Sequence, residues 1–354
     1  MTTEQGLRAY IGSFTQHGGA GITTAALDPE TGALTPLHTT AEVANPSFLA
    51  PSRDGGRLYA VSETGHGAAA AFALTPDGPE LLAPPVPVGG ASPTHLALAA
   101  GHLVTANYTS GSVSALPIGP DGTLGGPAAV LAHHGSGPDP ERQKTPHAHS
   151  VYAAPGGTRL LTADLGTDSV RSCSLDPATG MTQIRDEVRL RPGSGPRHLA
   201  FHPDGGHVYV VNELAPALTR CRWDAEHGTL TPLGETPLFA DGDGAPGDPA
   251  ADAGCASTAV VSPDGRFLWT AVRGRDRICV HALDASGAEL TPVTSVPCGG
   301  SWPRDLAMHP TGRFLYAANE RSGDITWFTV DHSTGIPTRT GSTAAPAASC
   351  VVFA

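Results

Sequence analysis

A hairpin that returns about every fifty residues leaves this chain few folds to choose from. Its clearest copy runs from Gly195 to Glu213, GPRHLAFHPDGGHVYVVNE. Leu199 and Phe201 on one arm, and Val208 and Val210 on the other, fall on alternate positions, with Pro203-Asp204-Gly205-Gly206 between the arms. Alternation marks a strand with one buried face. Asp-Gly marks a tight turn, because glycine accepts positive φ without steric cost. Related stretches open at Pro46 (PSFLAPSRDGGRLYAVSE), Pro93 (PTHLALAAGHLVTANY), Ala148 (AHSVYAAPGGTRLLTADL), Ala256 (ASTAVVSPDGRFLWTAVR) and Pro303 (PRDLAMHPTGRFLYAANE). Successive copies start 47, 55, 48, 60 and 47 residues apart, a period that belongs to propellers and solenoids.

Each hairpin is followed by two more strand-like runs and another turn, as in LTRCRWD, AEHG, TLTPLGETPLF after Glu213. The unit is therefore four short antiparallel strands, a propeller blade. LRAYIGSF near the N-terminus matches a second strand with no first strand before it, and Ser349 to Ala354 matches a first strand with nothing after it. Together they complete one blade. The expectation is all-β: a seven-bladed β-propeller, residues 1–354 as a single domain, its first blade closed by both termini. A pair of sandwiches is the bland alternative, and the complementary ends speak against it. The 44 glycines and 33 prolines suit many turns, and no apolar helical period extends beyond two turns.

Charge narrows the partners. A net charge of -12 repels phosphate backbones, so no nucleic acid is expected. No apolar run approaches the roughly 18 residues that span a bilayer, and MTTEQGLRAY has neither a basic nor an apolar leader region, so a cytoplasmic protein without a membrane partner is expected. The six cysteines form no CxxC pair, and reduced, mostly buried thiols are expected. A monomer or weak homodimer is the expected state.

Aligning the repeats selects two rings of residues. The position of Arg197, where an innermost strand begins, is filled by Ser47, Thr94, His149, Arg197, Ser257, Arg304 and Ser349. The position of Glu213, where a second strand ends, is filled by Ser13, Glu63, Tyr108, Leu165, Glu213, Arg273 and Glu320. Antiparallel pairing puts both rings at the same end of the disc, around the channel mouth. His149, Arg197, Glu213 and Arg273 come from adjacent blades and form a plausible anion site, with Arg304 and Glu320 beside it and His147 nearby. Arginine grips carboxylate or phosphate through paired N–H donors. The competing reading is that Arg197 with Glu213, and Arg304 with Glu320, are structural ion pairs at the rim. The long loops 132–146 and 240–255 fall on this same face, where long loops of a repeat protein mark the binding face. His133 and His134 read as exposed loop. Asp241-x-Asp243 with Asp248 and Asp252 reads as a solvated acidic loop rather than a calcium site, for it lacks the closing glutamate. His147-x-His149 puts two imidazoles on one side but has no evident third metal ligand, so no metal is expected. No G-x-S-x-G elbow, Walker loop or dinucleotide fingerprint is present.

The chain resembles the seven-bladed propeller lactonase family, which includes the propeller type of bacterial 6-phosphogluconolactonase and the fungal carboxymuconate cyclases. The resemblance rests on PHAHSV with ADLGTDSVR, GPRHLAFHPDG with VYVVNE, SPDGRFLWTAVRGRDRICV, and WPRDLAMHPTGRFLYAANERS, and it covers nearly the whole chain. It implies His149, Arg197, Glu213 and Arg273 as the active-site set, and PHAHS, DLGTD and GPRH place the chain nearer the bacterial branch. The activity implied is hydrolysis of a sugar-derived, possibly phosphorylated, lactone, the partner being a small anionic lactone. Glu213 is the preferred base, with His149 positioning water or protonating the leaving alkoxide. Arg197 and Arg273 stabilise the oxyanion or grip an anionic group, and His147, Arg304 and Glu320 contact substrate. No metal or organic cofactor is required. The alternatives are a cyclase acting on an unsaturated diacid, and a non-catalytic propeller that binds a peptide or metabolite on the loop face.

Overall fold

In the computed structural model, which describes residues 6–240 and 254–354, the hairpins open into seven antiparallel sheets, four strands deep. The fold is a seven-bladed β-propeller. Blade 1 runs outward as Ala348–Phe353, Arg8–Ser13, Ile22–Leu27 and Leu34–Thr40, so both ends of the chain share it. Ala9 pairs with Phe353, Tyr10 with Val352 and Ile11 with Val351, and the ring is closed by an ordinary strand ladder. The innermost strands of blades 2 to 7 are Leu49–Pro51, Pro93–Ala99, Ala148–Ala153, Pro196–Phe201, Cys255–Val261 and Pro303–Met308. A short fifth strand, Val86–Pro87, adds to the outer edge of blade 2.

The core lies between blades rather than within one. The second strand of blade 5, His207–Asn212, is buried on both faces. Val208 and Val210 join the apolar cluster shared with blade 4, while Tyr209 and Val211 join the one shared with blade 6. The period-2 alternation of the strand thus serves two interfaces at once, which is why the central strands read as unbroken apolar runs. Seven such clusters fill the seven interfaces. The one between blades 7 and 1 sets Phe314, Tyr316 and Trp327 against Ala9, Ile11 and Val351.

Polar staples fix the same interfaces. Tyr316 donates to the Gly32 carbonyl at 2.8 Å, Tyr209 to Gly287 at 2.7 Å, Tyr59 to Gly122 at 3.2 Å and the Trp269 indole to Gly335 at 2.8 Å. In each case an aromatic from one second strand reaches an outer turn of the next blade. The receiving glycine is required at Gly32, where φ is 72° and a Cβ would stand 2.7 Å from the Phe314 ring. The turn itself is made by Asp28, whose Oδ1 accepts from the Glu30 and Thr31 amides at 2.8 and 3.2 Å. Five of the six cysteines are buried.

Tyr316→Phe removes one buried donor across the closing interface while keeping the ring in place. It is expected to lower unfolding free energy by about 1 kcal/mol in urea titration, with an unchanged circular dichroism spectrum.

Candidate active site

The innermost strands do not run as regular ladders to the channel mouth. In blade 5 the pairing steps from Pro196 to His198 and passes over Arg197. It passes over His149 in blade 4, Thr94 in blade 3, Arg304 in blade 7 and Ser349 in blade 1, and an extra residue intervenes at Ser257–Thr258 in blade 6. Six of the seven residues of the first ring therefore sit at β-bulges, while Ser47 of blade 2 precedes its strand, Leu49–Pro51. A bulge adds one residue opposite a single partner and re-aims its side chain. Consecutive residues then share one side: Arg197 with His198, and Arg304 with Asp305, line the same narrow channel cavity, which strict alternation forbids. The bulged residues also tie blades together. Thr94 donates to the His149 carbonyl at 2.9 Å, Ser257 to the Pro303 carbonyl at 2.8 Å, and an Arg197 Nη1–H to the Ser257 carbonyl.

At the mouth, Glu213 is enclosed by guanidinium groups. Its Oε2 stands 2.9 Å from Arg197 Nε and 2.8 Å from Arg273 Nη2, and its Oε1 accepts from Arg142 Nη2 at 2.9 Å. The Arg197 and Arg273 contacts have ion-pair distance without hydrogen-bond alignment, so Glu213 Oε2 and Arg197 Nε each remain without a directed partner. Glu213 and Arg197 are almost wholly enclosed, with side chains 5% and 2% exposed. Burial alone would raise the Glu213 carboxyl, but Arg273, Arg197, His149 and Arg142 override it and hold it far below the usual carboxylate range. Arg197 is pushed down to about 9, first by burial and then by Arg273. His149 is held well below the ordinary histidine value by burial, then by Arg197, with Arg304 and Arg273 adding to it. It is a neutral imidazole at neutral pH, and its buried Nδ1 has no hydrogen-bond partner.

The ring residues thus converge, and the within-hairpin ion pairs are real as well. Arg273 also reaches the Cys255 and Ala256 carbonyls at 3.4 and 3.3 Å and lies over the Trp302 ring at 5.5 Å. Arg304 pairs with Glu320 at 3.5 Å and covers the Phe14 ring at 4.7 Å, while Glu320 meets His17 at 3.3 Å. His147 is not in contact with Glu213. Its ring stacks on Tyr108 at 4.5 Å, and Tyr108 presents an edge contact to His149 at 5.3 Å. Among the described residues no group of three or more His, Cys, Asp or Glu side chains is placed to hold a metal ion.

Repeat alignment overlooked several groups. Arg142 lies in the 132–146 loop, outside the repeat, and nothing in its spacing points to Glu213. His95 and His198, with ring centroids 5.2 Å apart, form a tier below the mouth with His149, which stands 5.5 Å from His198. Asp305 belongs to that tier. It keeps some surface along the channel yet is enclosed by protein, and burial pushes its carboxyl up to about 7 against the lowering effect of the Val351 amide and Arg197. The expectation of an exposed His133 is corrected: His134 is exposed, but His133 is buried, with Nδ1 2.7 Å from Asp164 Oδ2. Arg171 reaches the same oxygen at 3.1 Å and Glu187 at 2.9 Å, a network that anchors the start of the loop to blade 4. The acidic run Asp241 to Asp252 lies outside the described residues.

Residues 8–353 match the model of a family described as lactonase, 7-bladed beta-propeller. The chain belongs to the seven-bladed β-propeller lactonase family. Its similar relatives include 6-phosphogluconolactonases, carboxylic-ester hydrolases that open lactones. The chain is 33% identical to the 6-phosphogluconolactonase of Bacillus subtilis strain 168 over 97% of each chain. It is 30% identical to the 6-phosphogluconolactonase of Formosa agariphila over 92% of this chain and 93% of that one. Among solved structures, one from Bacteroides fragilis superposes with a TM-score of 0.90 at 31% identity, covering 100% of this chain and 99% of the other. The periplasmic gluconolactonase of Pseudomonas aeruginosa superposes at 0.89 with 29% identity, covering 98% and 99%. No helix among the described residues is long and apolar enough to cross a membrane.

Glu213 carries a depressed folded-state pKa, so its stabilisation is complete above its unfolded value near 4.5 and is lost as pH falls below it. Glu213→Gln leaves buried Arg197 and Arg273 without a counter-ion. It is expected to lower unfolding free energy at pH 7 by about 3–5 kcal/mol and to flatten the acid side of the stability profile, measured by urea titration from pH 3 to pH 7.

Proposed function

We propose that the channel mouth opens a phosphorylated sugar lactone by attack of water, with the guanidinium cluster holding both the developing oxyanion and the anionic substituent. One observation carries this reading: on an acidic chain, four arginines, Arg142, Arg197, Arg273 and Arg304, gather around one end of the channel, facing three glutamates, Glu213, Glu320 and Glu63. The positive excess suits an anion. The similarity to two bacterial relatives, both 6-phosphogluconolactonases, supports it.

The division of labour follows from contacts. Glu213 already accepts from Arg142 and faces two further guanidiniums, so it is a poor base and a good organiser. His149 is neutral and has an unpartnered ring nitrogen, so it is the group free to take a proton. In this mechanism water adds to the lactone carbonyl carbon and its proton passes to His149. The carbonyl oxygen becomes an oxyanion facing Arg197 and Arg273. Collapse breaks the ring C–O bond, and the imidazolium returns its proton to the leaving alkoxide, giving the hydroxy acid. Phosphate bound among the arginines offsets their charge and raises the proton affinity of His149 at the moment it is needed.

His149→Asn is expected to lower kcat by about 10²–10⁴ while circular dichroism and melting temperature stay near those of the wild type. With an unphosphorylated sugar lactone in a pH-stat, the acid limb of kcat/KM is expected well below pH 6.5, because His149 protonates only there. A limb at or above 6.5, or full turnover in His149→Asn, removes His149 from the role of base.

A further inference from the structure

The three arginines around Glu213 differ in kind. Arg197 and Arg273 belong to blades, are buried, and also bind main-chain carbonyls. Arg142 belongs to the loop between blades 3 and 4. Its side chain is 40% exposed, and its partners are two side chains, Glu213 Oε1 at 2.9 Å and the Tyr108 hydroxyl at 3.2 Å.

The backbone that carries Arg142 is firmly held. Asp139 Oδ1 accepts from the Glu141 and Arg142 amides at 2.8 and 2.9 Å. The next residue, Gln143, is fully buried and donates to the Leu165 carbonyl at 2.8 Å and to Asp168 Oδ1 at 2.6 Å. Asp168 also accepts from the Gly193 and Gly195 amides at 2.7 and 2.8 Å, and so secures the approach to Arg197. A fixed main chain therefore presents, at the rim of the pocket, one guanidinium with its outer side in solvent.

Resting on the lactonase reading above, we propose that Arg142 is the phosphate-binding residue of the site, exchanging Glu213 Oε1 for the phosphate ester of a sugar lactone as substrate enters. Glu213 tolerates the exchange, because Arg197 and Arg273 remain on its Oε2. Phosphate carries more charge than a carboxylate and suits the paired donors of a guanidinium. The exchange frees Oε1 to accept a hydrogen bond from a substrate hydroxyl. It also sets the orientation: the phosphate stays at the rim under the loop, and the reacting carbonyl lies deeper, toward His149 and Arg197.

The test compares wild type with Arg142→Ala on a sugar lactone with and without a terminal phosphate. The ratio of kcat/KM, phosphorylated over unphosphorylated, is expected to fall roughly ten- to a hundredfold, the range for one charge-assisted contact. An equal loss on both lactones overturns the proposal. Calorimetric binding of the phosphorylated hydroxy acid separates this claim from the lactonase reading. If wild type turns over neither lactone yet binds the phosphorylated acid, and Arg142→Ala binds it at least about tenfold more weakly, the phosphate role stands and the lactonase reading falls. Equal binding by both proteins, or none by wild type, overturns the phosphate role.

Discussion

One carboxylate makes the mouth of this channel possible. Arg197 and Arg273 approach the same oxygen of Glu213, and Arg142 takes the other. Without that carboxylate, guanidiniums from three segments far apart in sequence would repel each other across a buried space. With it they are held at fixed positions, each with donor capacity still to spend. Burial first, and then the repulsion of Arg273, lower the pKa of Arg197 despite the attraction of Glu213. An anion entering the mouth meets a charge deficit already organised in space, which is electrostatic preorganisation.

The scaffold bears that load because its stability is located elsewhere. Each blade interface has its own apolar cluster, and aromatic-to-glycine hydrogen bonds reinforce four of them at the outer edge. The channel wall is different in chemistry. There the bulged residues of the inner strands reach the carbonyls of the neighbouring blade, as Thr94 and Ser257 do. Below the mouth, His95, His198 and Asp305 form a polar tier that no simple reading of alternating strands would place together.

Much of this was legible in the repeat. Aligning PRH, PRD, AHS and AST put Arg197, Arg304, His149 and Ser257 in one ring, because the repeat conserves the backbone even where the side chain differs. The composite first blade was legible for the same reason: Arg8–Ser13 and Ala348–Phe353 are each half of a known unit. Arg142 was not, since its loop belongs to no repeat and is fixed by Gln143 and Asp139, contacts that arise only after folding. His133 was misread because a histidine pair in a glycine-rich loop looks solvated, whereas Asp164 and Arg171 supply it with buried partners. The bulges were invisible too. A strand with one extra residue has the same composition as a strand without it.

Those bulges have a consequence for how such a protein can change over time. A residue that the ladder passes over supports no cross-strand pairing, so its exchange leaves the register of the strand untouched. Serine, threonine, histidine and arginine all occupy that place in different blades of this one molecule. Six positions around one channel can therefore be rewritten without shifting the pairing of the strands that carry them. A new ligand preference needs no new backbone, only a different assortment of side chains on the same wheel.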